Sequence, residues 1–161
     1  MKRSFAIVVS LVALIVVGIA SAATLDRITG TPHDDRIVGT AGGDIVSALA
    51  GDDSVSALGG NDVVYGAQGN DGLRGGDGND WVEGGPGDDI VWVGRGADRE
   101  FGGPGDDVMH ALAADGQVDQ VDCGPGNDVV YENASEHDVF VNCEKVITRV
   151  VTPKQAAEDD R

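Results

Sequence analysis

An aspartate returns every nine residues without a slip: Asp35, Asp44, Asp53, Asp62, Asp71, Asp80, Asp89, Asp98 and Asp107. Two further columns keep the same phase. Two residues before the aspartate stands a glycine in every repeat from Gly42 to Gly105, and only His33 departs from it. Two residues after it stand Ile37, Val46, Val55, Val64, Leu73, Val82, Val91 and Met109, interrupted once by Glu100. A short fixed period of this kind specifies a solenoid, in which each repeat buries its apolar residue against its neighbours in the stack.

Each column has a physical task. Three residues such as Trp81-Val82-Glu83 suffice for a short strand, and period-two alternation turns the middle one inward. The preceding six, as in Gly75-Gly76-Asp77-Gly78-Asn79-Asp80, are turn-formers. Strand and turn make half a coil, so two repeats close one coil. Successive strands then fall on two opposite sheets, and successive turns on two opposite edges. One edge stacks Asp35, Asp53, Asp71, Asp89 and Asp107; the other stacks Asp44, Asp62, Asp80 and Asp98.

Stacked turns lie ~4.8 Å apart, the spacing of neighbouring strands. At an effective dielectric of ~20, two carboxylates at that distance repel by roughly 3 kcal/mol. A hard cation between turns reverses the sign, and turn carbonyls complete an all-oxygen shell suited to Ca²⁺. Mg²⁺ fits less well, because it demands a strict octahedron and holds its waters.

The segment Gly75–Trp92, GGDGNDWVEGGPGDDIVW, and the segment Gly102–His110, GGPGDDVMH, closely resemble the calcium-binding nonapeptide of RTX (haemolysin-type) proteins, G-G-x-G-x-D-x-U-x. The resemblance spans about Gly30 to His110. It implies an all-β, right-handed parallel β-roll, with each Ca²⁺ between turns one coil apart. Motif aspartates and backbone carbonyls of the glycine-rich turn would hold it. Carried over residue by residue, it makes Asp35, Asp44, Asp53, Asp62, Asp71, Asp80, Asp89, Asp98 and Asp107 metal ligands, with room for at most about seven ions.

The chain departs from the motif in places. Ala48-Leu49 and Ala57-Leu58 replace the double glycine in two early turns, and Val93 replaces its first member before Asp98. The sites pairing Asp71 with Asp89 and Asp89 with Asp107 are therefore expected to be the best formed, and the Asp35 turn the poorest. Glu100 falls on the inward column. A buried carboxylate without a partner is costly, so its strand is expected to bulge or to lie at a frayed margin.

After His110 the period fails, then returns as Cys123-Gly124-Pro125-Gly126-Asn127-Asp128, which adds Asp128 as a tenth candidate ligand and places an insertion around Ala111–Gln117. Asp115, Asp119 and Asp122 read as solvated loop acids. Residues 111–152 are expected to form a degenerate last repeat and a C-terminal cap over the open end of the roll, as a solenoid requires. Residues 153–161 read as a disordered tail.

The first 22 residues read as a secretory signal: Lys2 and Arg3, an apolar run from Phe5 to Ala20, and Ala20-Ser21-Ala22 before the cut. The roll then occupies residues 23–110 of a secreted, extracellular protein with no membrane span after cleavage. Cys123 and Cys143, an even pair in an exported chain, are expected to form a disulfide.

A formal charge of −17, from 28 acidic against 11 basic residues, favours cations as partners and disfavours nucleic acid and anionic lipid. His33, His110 and His137 are scattered, with no zinc helix and no nucleophile elbow. His33 and His110 read as exposed turn residues, and no enzyme activity is expected. The function that follows is calcium-dependent folding outside the cytoplasm. The alternative is a cell-surface or matrix interaction module that uses the rigidified roll as a scaffold. Its surface partner would meet the outward Ile45, Trp81, Ile90 and Trp92, although these could equally pack against the cap.

Overall fold

A computed structural model describes residues 13–16, of which only the backbone is described, and residues 25–150. The expected secretory signal falls on residues of which only 13–16 are described, and the expected tail lies outside them. Among the described residues fifteen strands follow one another: β1 (Ala13–Val16), β2 (Asp26–Thr29), β3 (Asp35–Val38), β4 (Asp44–Ala50), β5 (Ser54–Ser56), β6 (Val63–Gln68), β7 (Gly72–Asp77), β8 (Trp81–Glu83), β9 (Ile90–Arg95), β10 (Arg99–Phe101), β11 (Val108–Ala111), β12 (Gln120–Asp122), β13 (Val129–Asn133), β14 (Val139–Val141) and β15 (Lys145–Arg149). No helix among them is long and apolar enough to cross a membrane.

The strands alternate between two sheets. One runs β1-β3-β5-β7-β9-β11-β13-β15 and the other β14-β12-β10-β8-β6-β4-β2. Neighbours pair in parallel, so the chain is an all-β parallel β-solenoid. Register follows the apolar column: Ile37 pairs with Val55, Val55 with Leu73, Leu73 with Val91 and Val91 with Met109. These side chains are at most 1% exposed, and with Val46, Val64 and Val82 from the facing sheet they fill the space between the sheets. Each such burial contributes ~1.5–3 kcal/mol, which a thin repeat can gain only from the coils above and below it.

β10 is regular, contrary to expectation. Glu100 pairs in register with Val82 on one side and Val121 on the other, and it is fully buried. Two flanking strands with intact apolar residues hold the middle one in place, so the chain keeps the fold and buries the acid. Both carboxyl oxygens lack a hydrogen-bond partner. Burial, reinforced by the nearby Asp119 and Asp98 carboxylates, pushes this carboxyl well above its ordinary range and favours its neutral form.

The segment after Ala111 extends the roll. After the inserted loop, β12 pairs with β10 and β13 with β11, and β14 and β15 close the two sheets in the same parallel sense. Cys123 and Cys143 are disulfide-bonded, with Cα atoms 5.2 Å apart. Cys123 is fully buried in the core, so the bridge ties the last coil to the one beneath it. Val146, in register with buried Val130, is 41% exposed: this last coil covers the roll, while its own inner face stays partly open among the described residues.

His110 is no turn residue. It lies in β11 between the rings of Trp92 and Tyr131, at 5.2 Å from each, and the guanidinium of Arg74 covers Trp92 at 4.2 Å. Trp81 stacks on Phe101 at 4.5 Å in the other sheet. The outward tryptophans thus pack on the next coils of their own sheets.

Candidate metal centre

The turns place the aspartates of each edge in a ladder. The backbone N–H of Asp35 donates to Oδ1 of Asp53 (2.7 Å), Asp53 to Asp71 (2.8 Å), Asp71 to Asp89 (2.8 Å) and Asp89 to Asp107 (2.8 Å). On the opposite edge Asp44 donates to Asp62 (2.7 Å), Asp62 to Asp80 (2.9 Å) and Asp80 to Asp98 (2.8 Å). The two edges hold the residues that the nine-residue phase assigns to them.

Both ladders run on past the regular repeats. Asp107 donates to Asp128 (2.8 Å), and Asp128 in turn to Glu144 (2.9 Å). On the other edge Asp98 donates to Asp119 (2.9 Å) and Asp119 to Asp138 (3.0 Å). Asp119 is only 3% exposed, so it is a ladder member and no solvated loop acid. A weak signal for it exists in the chain: Asp119 stands nine before Asp128 and two before inward Val121. Gln117 in place of the usual glycine hides it.

In eight of these carboxylates one oxygen is used by the ladder and the other is left over. The Oδ2 atoms of Asp53, Asp62, Asp71, Asp80, Asp89, Asp98, Asp107 and Asp128 are buried and without a hydrogen-bond partner. Stranding a buried anionic oxygen is costly, and eight of them in two columns call for a common partner. Where a glycine stands five residues before the aspartate, Oδ2 faces that glycine and a carbonyl of the next coil. A Cβ placed on Gly84 would lie 2.2 Å from Oδ2 of Asp89 and 2.6 Å from the carbonyl oxygen of Gly102. One on Gly66 would lie 2.4 Å from Oδ2 of Asp71 and 2.7 Å from the carbonyl oxygen of Gly84. The missing side chain leaves carboxylate and carbonyl oxygens facing a common space, a donor set that fits Ca²⁺.

The same position carries Ala48, Ala57, Val93 and Cys123 before Asp53, Asp62, Asp98 and Asp128, and these four side chains join the core. One residue further on, the backbone is left-handed from Leu49 onward in the regular repeats, with or without glycine: Gly76 at φ 113° and Gly85 at 111°, but also Leu49 at 88°, Leu58 at 81° and Ala67 at 82°. Turns that lack the double glycine therefore keep its backbone path, at a cost of ~1–2 kcal/mol per strained residue.

Burial raises the ladder carboxyls, opposed by the backbone N–H each accepts and reinforced by neighbouring carboxylates. Asp53, Asp80 and Asp107 are pushed up to about 6, Asp62 and Asp119 to about 7, and Asp89 and Asp98 to about 8. Asp71, Asp128 and Asp138 rise for the same leading cause.

A second ladder stands outside the first. Asp52 donates its backbone N–H to Asp34, Asn70 to Asp52, Asp88 to Asn70 and Asp106 to Asp88, at 2.8–3.0 Å. These exposed residues hold the turns in register.

Residues 29–64, 38–73 and 65–100 match the family model described as RTX calcium-binding nonapeptide repeat (4 copies). Over residues 29–100 the chain is similar to RTX-type calcium-binding nonapeptide repeats. No curated protein matches the chain. The matched RTX span ends before Asp107, whereas the ladder geometry continues to Asp128 and Asp138. Among the described residues no three His, Cys, Asp or Glu side chains gather closely enough to hold an ion by themselves. RTX-type acids are instead spread along two edges, each needing backbone oxygens to complete a shell. That is the organisation of a structural scaffold.

Proposed function

We propose that this is a secreted protein whose roll folds around several Ca²⁺ ions, outside the cytoplasm. The single observation that carries the reading is the double column of buried, unpartnered Oδ2 atoms. The family match over residues 29–100 supports calcium as the ion. Asp53, Asp62, Asp71, Asp80, Asp89, Asp98 and Asp107 each present Oδ2 to the turn one coil further on, and Asp128 presents the last. The spaces between Asp71 and Asp89, and between Asp89 and Asp107, are favoured sites, because Gly66 and Gly84 put no side chain into them.

Export gives the device its logic. Extracellular modules bind Ca²⁺ at ~10⁻⁴–10⁻³ M, far above cytosolic supply. At ten times the dissociation constant each site adds ~1.4 kcal/mol to stability. Several together match a whole domain's margin of ~5–15 kcal/mol. The chain would stay pliable before export and set rigid after it. The apolar run before Ala23 and the Cys123–Cys143 disulfide support the exported setting. The test is a calcium titration of the purified chain followed by circular dichroism.

A further inference from the structure

The first two turns of the roll differ from those that end at Asp53, Asp62, Asp71, Asp80, Asp89, Asp98, Asp107 and Asp128. In the turn before Asp44, the backbone N–H of Thr40 donates to Oδ2 of Asp44 at 2.7 Å. Its hydroxyl lies 3.2 Å from Oδ1 and 3.1 Å from Oδ2 of the same carboxylate. In the turn before Asp35, the N–H of Thr31 donates to Oδ2 and its hydroxyl reaches Oδ1 at 3.1 Å. Both aspartates are buried, at 0% and 2% exposure, yet neither has a stranded oxygen.

The cause is one backbone torsion. The residue four before the aspartate is left-handed at Leu49, Leu58, Ala67, Gly76, Gly85, Gly94, Gly103 and Gly124, but not at Thr31 or Thr40. In the left-handed turns its N–H points away from the carboxylate, as where Ala67 donates to the carbonyl of Gly84 (2.8 Å) and Gly85 to that of Gly102 (2.9 Å). A β-branched threonine resists the left-handed region. It keeps its N–H aimed at its own aspartate and adds a hydroxyl.

Resting on the calcium reading above, we infer that Thr31 and Thr40 occupy the place a cation takes in later turns. The amino-terminal coil is then closed by hydrogen bonds alone, and the cation columns begin at Asp53 and Asp62. The spaces between Asp35 and Asp53, and between Asp44 and Asp62, hold no ion. Asp35 and Asp44 are structural residues, despite sharing the phase of the ligands.

The experiment counts bound calcium on the full chain by equilibrium dialysis with ⁴⁵Ca²⁺ at saturation, for the parent, Asp44→Asn, Asp62→Asn and Thr40→Gly. Asp44→Asn should bind as many ions as the parent, and Asp62→Asn fewer. Thr40→Gly removes the hydroxyl, allows the left-handed turn, and should bind one ion more. Loss of an ion in Asp44→Asn overturns the inference. Should Asp44→Asn fail to fold, Thr40→Gly decides alone: an unchanged count overturns the inference and one added ion upholds it. A parent that binds no calcium would instead remove the reading on which the inference rests.

Discussion

The backbone N–H of Asp71 donates to Oδ1 of Asp89 in the next coil, at 2.8 Å, and leaves Oδ2 of Asp89 buried with no partner. One side chain thus splices two coils together and presents an uncompensated anionic oxygen to the third. Repeated along both edges, this makes cohesion between coils and demand for a cation two consequences of one residue.

Protons can meet part of that demand. Asp53, Asp62, Asp89 and Asp98 lie near 4 in an unfolded chain and at about 6 to 8 in the folded roll. The folded state therefore binds more protons between those limits. Its stability is present at low pH and is lost as pH rises through 6 to 8. In excess chelator the chain should keep more β structure, and melt at a higher temperature, at pH 5 than at pH 8, where little of the roll remains. Calcium should bind more tightly at pH 8, releasing fewer protons there. Thermal melts with chelator at both pH values check this, and a higher melting point at pH 8 would contradict it.

Glu100 is a misfit that the fold absorbs. Glu100→Met fills a similar volume between Val82 and Val121 without a buried carboxyl. It should stabilise the calcium-loaded protein by about 1–3 kcal/mol, more at pH 8 than at pH 5. Urea denaturation measures it. Destabilisation at both pH values would mean that the carboxyl has a role the packing does not reveal.

Leu58 is left-handed at φ 81° and its side chain is 49% exposed. Leu58→Gly removes strain at little cost in burial, offset in part by greater freedom of the unfolded chain. A gain of about 0.5–1 kcal/mol is expected in denaturant titrations with calcium. A loss would show that the leucine side chain matters more than its backbone.

The Cys123–Cys143 bridge closes a sequence separation of 20 residues, worth ~3 kcal/mol by chain entropy. Reduction in calcium should lower stability by about that amount and expose β14 and β15 to hydrogen exchange first. Uniform loss of protection along the roll would contradict a local role for the bridge.

The regular part of this architecture was legible because the period is strict. Phase alone places Asp53 under Asp71 and Val82 beside Val64, and it points to the two edges. Where the period breaks, reading failed for definite reasons. Asp119 and Asp138 have Gln117 and Glu136 where a glycine is usual, so the spacing of Asp119 to Asp128 is a faint signal and the place of Asp138 shows only in three dimensions. The inward position of Glu100 was readable, but the strength of two in-register neighbours was not. Thr31 and Thr40 share a phase four residues before their aspartates. Their meaning depends on a backbone torsion that composition does not encode.

The central claim is that the ladder needs its cation, and circular dichroism during a Ca²⁺ titration at neutral pH tests it most directly. In excess chelator the mature chain should be largely without β signal. Addition of calcium to roughly millimolar should bring the signal in cooperatively. A β signal of full strength in chelator, unchanged by calcium, would contradict the account.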